Sequence, residues 1–339
     1  MTFTSLHNGI QRKLSFVLIA LALAGSTALL AQRPIERTGG SYVKTSLNAF
    51  SFSKLLNNYN KGMKDSSMSM FELLDFCARQ NFDAVDLTGY FFPGYPAVPS
   101  DSFINAVKRK AHVLGLDISG TGVRNDFASA DAAKRAADVK HVKEWIDVAV
   151  KLGAPVVRVF AGPVPKGYEN KWDSIAGYMA ASLKECVAYG KLRGVMIGVQ
   201  NHGDFLKTAD DCIRLIKMVD SDWFGLIVDT GYFVSDDPYV DIAKVMPYAV
   251  NFQVKESPFG VLSRVRIDLK RLMKIVHNSG YRGYLPIETL ADKVLKGQPM
   301  PSTPFRPYDP YKLVPAFFKE VRAAIKAEYK DDYQYASKN

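Results

Sequence analysis

A chain of 339 residues, 47% of them hydrophobic, is long enough to bury the core of one large domain or of two ordinary ones. The formal net charge is +10, but basic residues stand beside acidic ones along the chain, as in Lys140, Lys143 and Glu144, and no dense basic run occurs. This distribution favours a solvated surface and argues against a nucleic-acid-binding protein.

Residues 1–31 have the features of a secretory signal peptide. Arg12 and Lys13 precede the apolar stretch LSFVLIALALAG, and small residues follow it. A retained membrane anchor is the alternative, but the apolar stretch is short for a span. We therefore expect an exported protein, periplasmic or secreted, with no stable membrane span after cleavage. Residues 32–40 would form a polar linker, and residues 331–339 a polar C-terminal tail.

The first half of the remaining chain alternates between short apolar runs and segments of helical periodicity. The pattern predicts strands over residues 42–50, 82–87, 116–120 and 156–160, and helices over 68–80, 103–114, 131–152 and 172–193. An aromatic, proline-rich loop occupies residues 89–100. Glycines at 115, 153 and 194 each follow a predicted helix, where a left-handed residue commonly ends it.

Four further apolar runs follow, each ending in polar residues: VMIGVQNHG (195–203), FGLIVDTGYF (224–233), AVNFQVKES (249–257) and YLPIETL (284–290). Helical segments separate them, so eight strand–helix units over residues 41–330 predict a single-domain (β/α)₈ TIM barrel. A doubly wound open sheet is the alternative. It would usually carry a glycine-rich fingerprint after the first strand, and the sequence has none, which also argues against a nucleotide cofactor.

Polar side chains end each of these last four strands. In a parallel barrel the carboxyl ends of the strands converge on one face. Carboxylate, amide, lysine and imidazole groups there are hard to explain by core packing, so we predict a functional site from six residues: Gln200, His202, Asp229, Gln253, Lys255 and Glu288.

The four runs resemble the last four strands of the xylose isomerase-like TIM-barrel superfamily, which holds sugar isomerases and epimerases. The family patterns E-N-H-G, D-T-G-H, H-x-K-[DE] and I-E read here as Gln200-Asn-His-Gly, Asp229-Thr-Gly-Tyr, Gln253-Val-Lys-Glu and Ile287-Glu288. The likeness extends over roughly residues 40–328. Glutamine stands in place of the family's first glutamate and of its histidine.

The resemblance implies a divalent metal held by the residues at the four ligand positions, which are Gln200, Asp229, Gln253 and Glu288. Amide oxygens can bind hard cations. The lost carboxylate and imidazole should weaken Zn²⁺ and Mn²⁺ binding and shift any preference toward Mg²⁺ or Ca²⁺. His202 could restore a nitrogen ligand. The alternative is that no metal binds and Lys255 supplies the positive charge.

The resemblance also implies a carbohydrate substrate that loses a proton α to a carbonyl. Family epimerases place carboxylates on strands five and eight, but the amide of Gln200 cannot act as a base near neutral pH. Glu288 is then the expected general base, with Lys255 and His202 available to stabilise an enolate or move a proton. A salt bridge that closes the barrel, to Lys255 or Arg158, is the structural alternative for the carboxylates.

Earlier strands and loops contribute candidates for contacts with sugar hydroxyls and sugar rings. These are Asp86, Tyr90, Arg124, Asn125 and Arg158. Two functions compete with an isomerase or epimerase: a lyase or hydratase acting on 3-keto-glycosides, and a non-catalytic sugar-binding barrel. Abasic-site endonucleases share the superfamily, but they need a histidine-rich metal cluster, and only His202 is well placed here.

Overall fold

The computed structural model describes residues 34–260, 265–291, 307–330 and 332. The predicted signal peptide, most of the proline-rich segment after residue 291 and nearly all of the predicted tail lie outside these residues. Within them, eight parallel strands form a closed barrel in chain order. The strands are β1 (Tyr42–Asn48), β2 (Ala84–Thr88), β3 (Asp117–Gly122), β4 (Val156–Phe160), β5 (Met196–Gln200), β6 (Phe224–Asp229), β7 (Ala249–Lys255) and β8 (Arg282–Glu288).

Helices follow the strands along the chain, as expected of a (β/α)₈ barrel. The α-helices in the described residues are α1 (Ser53–Asn60), α2 (Met70–Arg79), α3 (Asp101–Val113), α4 (Ala132–Leu152), α5 (Trp172–Arg193), α6 (Ala209–Val219), α7 (Pro238–Val245), α8 (Leu269–Asn278) and α9 (Pro310–Glu328). No helix among the described residues is long and apolar enough to cross a membrane.

The barrel confirms the predicted fold, and all eight strands begin within two residues of their predicted starts. The region after β1 differs from the prediction. The strand ends at Asn48, because the side chain of this residue accepts a hydrogen bond from Phe50 N at 2.8 Å and caps a 3₁₀ turn, Ala49–Phe52. Helix α1 follows and was not predicted. It buries only Leu56, so its sequence carries little apolar periodicity.

Side chains on each strand alternate between the helices and the barrel interior. Leu47, Val157 and Val228 belong to the fully buried apolar core. The interior beneath the strand ends is partly polar: Ser46 Oγ and Ser119 Oγ lie 2.7 Å apart, and Asn251 Nδ2 donates to Ser119 O at 3.1 Å. Branched apolar residues usually dominate this position in TIM barrels. The polar interior therefore extends from the strand ends down into the barrel.

Candidate active site

A pocket of about 640 Å³ opens at the carboxyl-terminal ends of the strands. It receives residues from β1, β4, β5, β7 and β8 and from the loops that follow them. Its lining includes Asn48, Phe50, Lys54, Tyr90, Arg158, Phe160, Gln200, His202, Tyr232, Lys255, Glu288 and Tyr308. All three residues predicted to be catalytic, His202, Lys255 and Glu288, therefore face one cavity.

The centre of the site is the ammonium group of Lys255, which lies between two carboxylates. Its Nζ donates to Glu288 Oε1 at 2.8 Å and lies 3.4 Å from Asp229 Oδ2. Parallel strand register explains the first contact, because Lys255 of β7 is the direct partner of Glu288 of β8. The three side chains are 5% exposed or less. The site thus contains a nearly dry cluster of one cation and two anions.

Burial and mutual charge set the protonation of this cluster. The pKa of Asp229 is raised to about 6, because burial and the charge of Glu288, which raise it, outweigh Lys255 and the hydrogen bonds from Gly231 and Gln200, which lower it. Burial alone would lower the pKa of Lys255, but Asp229 and Glu288 outweigh it, so the pKa of the lysine is raised. Lys255 is therefore a stable cation across the physiological pH range.

The two glutamines at predicted metal-ligand positions already have protein partners. Gln200 Nε2 donates to Asp229 Oδ2 at 2.5 Å, so its amide presents N–H groups to the carboxylate. Gln253 Oε1 accepts a hydrogen bond from Asn48 Nδ2. Asp229 Oδ1 in turn accepts from Gly231 N at 2.8 Å. With the contact between Glu288 and Lys255, polar atoms at all four predicted ligand positions are engaged within the protein.

These residues do not fit a bound divalent ion. Within the described ranges, no group of three or more His, Cys, Asp or Glu side chains is arranged to hold a metal. The two carboxylates that could bind one, Asp229 and Glu288, both contact the ammonium of Lys255. A divalent ion about 4 Å from that ammonium would be repelled by roughly 8 kcal/mol at an effective dielectric constant of about 20. The set Gln200, Asp229, Gln253 and Glu288 carries two negative charges, against three and an imidazole in the family's set, so it offsets less of this repulsion. The predicted metal site therefore lacks support from the geometry.

On the opposite side of the barrel mouth, Arg158 is the main cationic group. Its guanidinium donates to Val123 O at 2.9 Å and to Tyr90 Oη at 3.1 Å, and lies 4.0 Å from the ring centroid of Phe160. Gly122 makes room for it, because a Cβ there would lie 2.8 Å from the arginine Nε. Arg158 is only 7% exposed and lines the pocket, and its predicted contact with substrate stays a prediction.

Asp86 lies deeper, at 5% exposure, and burial raises its pKa to about 6. The charge of Arg158 lowers this pKa and that of Glu288 raises it. Asp86 is not among the residues that line the pocket. Its predicted contact with a sugar hydroxyl stays a prediction, and its charge is a cost to folding above pH 6.

Replacement of Asp86 by asparagine is expected to stabilise the protein at pH 8. Because the folded-state pKa lies above that of the unfolded chain, the carboxylate costs folding free energy as pH rises through about 6, and nothing below about pH 4. A gain of about 1–3 kcal/mol at pH 8 should therefore vanish at low pH. Urea unfolding at both pH values measures it.

Asp204 offers a matched control for Asp86, since its pKa is also raised to about 6 by burial. Its carboxylate accepts from Gly162 N at 3.1 Å and Phe205 N at 2.8 Å, so Asp204→Asn should destabilise by placing an amide donor against an N–H group. Equal effects of the two variants, or a loss of stability in Asp86→Asn at pH 8, would contradict the assignment.

His202 is half-buried between two aromatic rings. Its ring centroid lies 4.6 Å from that of Phe160 and 4.4 Å from that of Tyr232. Tyr232 occupies the histidine position of the D-T-G-H pattern. Burial raises its pKa to about 12 and outweighs the opposing charge of Lys255. The phenol is therefore protonated at neutral pH and can act as a hydrogen-bond donor in the pocket.

The remaining predicted contacts separate into pocket and rim. Tyr90 lines the pocket, and the Arg124 guanidinium lies 4.6 Å from the centroid of its ring, at the exposed rim. Asn125 makes two hydrogen bonds of 2.8 Å with the backbone of Phe160: its Nδ2 donates to the carbonyl oxygen, and its Oδ1 accepts from the N–H. Its amide therefore fixes the loop after β3 to the end of β4.

Several lining residues were not predicted as site residues: Asn48, Phe50, Lys54, Phe160, Tyr232 and Tyr308. Tyr232 follows Asp229 within the D-T-G-Y motif and could have been inferred from the family pattern. Lys54 lies on α1, which the sequence did not predict, so no signal identified it. Asn48 ends β1 and could have been found as the polar residue at that strand end.

Comparison with known proteins agrees with the geometry. The family profile described as xylose isomerase-like TIM barrel matches residues 74–310, more than half of the chain. The chain belongs to this family. No curated protein matches it in sequence.

Solved structures similar to this member of the xylose isomerase-like family include several sugar epimerases. D-psicose 3-epimerase from Clostridium cellulolyticum H10, crystallised with D-tagatose, is 16% identical with a TM-score of 0.65, covering 83% of this chain and 99% of that one. L-ribulose 3-epimerase is 17% identical with a TM-score of 0.64, covering 86% and 97%. The 3-keto-D-glucoside 4-epimerase from E. coli is 14% identical with a TM-score of 0.61, covering 84% and 99%. At these identities the likeness concerns the fold.

Proposed function

We propose that this protein is a sugar isomerase- or epimerase-like enzyme that removes a proton α to a carbonyl of a carbohydrate, with Glu288 as general base. One observation carries the proposal: the Glu288 carboxylate lines the pocket and lies 2.8 Å from the buried ammonium of Lys255. Proton abstraction next to a carbonyl needs a base and, close to it, a positive charge for the oxygen that becomes negative.

A Glu288 carboxylate oxygen takes the proton from the α carbon, and the C–H electron pair forms the C=C bond of an enolate, whose charge moves to the carbonyl oxygen. The ammonium of Lys255 has three N–H donors, of which Glu288 and Asp229 face two. The third can donate to the enolate oxygen, where a charge-assisted hydrogen bond in a nearly dry site is strong.

The same arrangement limits the outcome of the reaction. The amide of Gln200 donates to Asp229 and cannot serve as a second base on the opposite face of the substrate. The proton on Glu288 can then be delivered to the former carbonyl carbon while the hydroxyl proton of the α carbon passes to the former carbonyl oxygen. The carbonyl has then moved to the neighbouring carbon, which is isomerisation. Protonated Glu288 can also protonate a leaving oxygen on the β carbon, which is elimination.

For this reason, elimination from or hydration of a 3-keto-glycoside is the second candidate function. The one-base site favours it, and a structural neighbour is named for a 3-keto-D-glucoside. The predicted signal peptide leads us to propose an exported protein, which would meet free sugars and glycosides more often than sugar phosphates. The aromatic rings of Tyr90, Phe160 and Tyr232 on the pocket support a sugar ligand, because C–H faces of sugars pack on such rings.

Proton exchange in D₂O tests the proposed chemistry without knowledge of the product. Keto sugars and 3-keto-glycosides incubated with the protein should gain deuterium at the carbon next to the carbonyl, as measured by NMR and mass spectrometry. Elimination would show in addition as release of the aglycone. Binding of a sugar with no exchange and no product in either series would favour the non-catalytic sugar-binding barrel.

A further inference from the structure

The ligand positions of the family's metal are present in this chain, but a lysine side chain occupies the space between them. We propose that the Lys255 ammonium is the resident cation of this site, and that the protein holds its two buried carboxylates and carries out its chemistry without a divalent metal. The statement about the chemistry rests on the proposed function. The statement that no metal is bound concerns the site alone.

The first support is the contact geometry of the two carboxylates. Glu288 Oε1 accepts from Lys255 Nζ at 2.8 Å, and Asp229 Oδ2 lies 3.4 Å from the same nitrogen. The second oxygen of Asp229 accepts from the backbone N–H of Gly231 at 2.8 Å. A metal bound to both carboxylates would have to displace the Lys255 ammonium, whose side chain is only 3% exposed, from these two contacts.

The second support is the orientation of the glutamines. A ligand must aim a lone pair at the ion, but Gln200 aims an N–H group at Asp229 Oδ2. The amide oxygen of Gln253 accepts a hydrogen bond from Asn48 Nδ2. Both amides thus act as hydrogen-bonding partners of the surrounding residues. Together with Lys255 they satisfy the groups that a metal would otherwise hold.

The third support is the space provided for the lysine. A Cβ on Gly231 would lie 2.5 Å from Lys255 Cδ and 3.1 Å from its Cε. The backbone of Gly231 has no left-handed conformation that would itself require glycine. This glycine therefore permits the lysine stem to cross the end of β6 and reach Asp229.

Lys255 is the lysine of the family's H-x-K-[DE] pattern, so the cation itself is not new to this chain. The chain differs from the family at the two ligand positions that are glutamine here, Gln200 and Gln253. The exclusion of a metal should therefore be reversible. The double variant Gln200→Glu/Gln253→His restores the carboxylate and the imidazole. It adds one negative charge to the ligand set and supplies two strong ligands for Mn²⁺ or Zn²⁺.

The metal content and the Tm of the purified proteins, both measured without substrate, test whether the glutamines exclude a metal. The wild type is expected to carry substoichiometric metal and to show the same Tm with EDTA, Mg²⁺, Mn²⁺, Ca²⁺ or Zn²⁺. The double variant is expected to bind one equivalent of Mn²⁺ and to gain roughly 5 °C in Tm at saturation. Adding Asp229→Asn to the double variant removes one ligand and should abolish that gain.

A wild type that retains one equivalent of metal, or whose Tm rises with any of the four ions, overturns the proposal. A double variant that is folded by circular dichroism yet binds no Mn²⁺ also overturns it, since the glutamines would then not be what excludes the ion. Neither readout involves turnover. Loss of the proposed function, judged by proton exchange, is therefore distinguishable from loss of this inference.

Discussion

Replacement of Glu288 by glutamine is expected to reduce turnover by about 10²–10⁴-fold while leaving sugar binding largely intact. The glutamine keeps the size of the side chain and its place on the pocket, but it cannot accept the α proton near neutral pH. Rates of deuterium exchange, together with calorimetric titration of a bound sugar, separate the two effects.

Glu256→Gln is the matched control for this variant. Glu256 is also a buried glutamate beside the site, on the segment directly after β7, but it pairs with Arg266 at 3.1 Å and is not among the pocket-lining residues. Its replacement should leave the exchange rate per folded molecule close to that of the wild type. Turnover retained in Glu288→Gln, or lost equally in both variants, would rule out Glu288 as the base.

Replacement of Lys255 by methionine is expected to destabilise the protein by about 3–5 kcal/mol at pH 8. Methionine keeps most of the length of the aliphatic stem, but Asp229 and Glu288 then face each other in a nearly dry site with no cation. Loss of Lys255 also removes the charge that lowers the pKa of Asp229, so the carboxyl of the folded variant becomes neutral at a higher pH than in the wild type. The penalty should therefore shrink as pH falls toward about 6, where Asp229 of the wild type also becomes neutral. Urea unfolding between pH 5 and pH 8 measures this dependence.

Lys44→Met provides the comparison for a surface ion pair. Lys44 Nζ lies 2.7 Å from Asp117 Oδ2, but the two side chains are 40% and 48% exposed. Solvent screening limits such a pair to about 0–1 kcal/mol, with little change between pH 5 and 8. A Lys255→Met variant as stable as Lys44→Met, or one whose loss grows at low pH, would show that Lys255 does not hold the carboxylates together.

The sequence alone was sufficient to predict the fold and the end of the barrel at which the candidate site residues meet. Alternating apolar runs and helical segments predicted eight strands because burial of a parallel strand on both faces leaves a nearly continuous hydrophobic run. The polar residue that ends each run predicted the face of the barrel, since parallel strands bring their carboxyl ends together. Asp229, Lys255 and Glu288 were predicted as site residues for this reason, and the structure brings all three into one cluster.

What the sequence could not specify was which atoms of these residues meet. The pattern left two alternatives for the positive charge, a metal ion or Lys255, because strand periodicity places a side chain on a face without defining its direction. Only the register of β7 against β8, and the space above Gly231, direct the lysine onto both carboxylates. The orientation of the Gln200 amide toward Asp229 depends on the same packing.

Long-range contacts also decided the outer parts of the site. Helix α1 is predominantly polar and forms where the Asn48 cap ends β1, so Lys54 reaches the pocket without a local signal. Asn125 and Arg158 looked alike as polar candidates near strand ends. The fold engages both amide atoms of Asn125 with the backbone of Phe160 and leaves the Arg158 guanidinium on the pocket wall. Sequence determines which polar groups reach the barrel mouth, whereas the tertiary packing of neighbouring strands decides which of them remain available to a ligand.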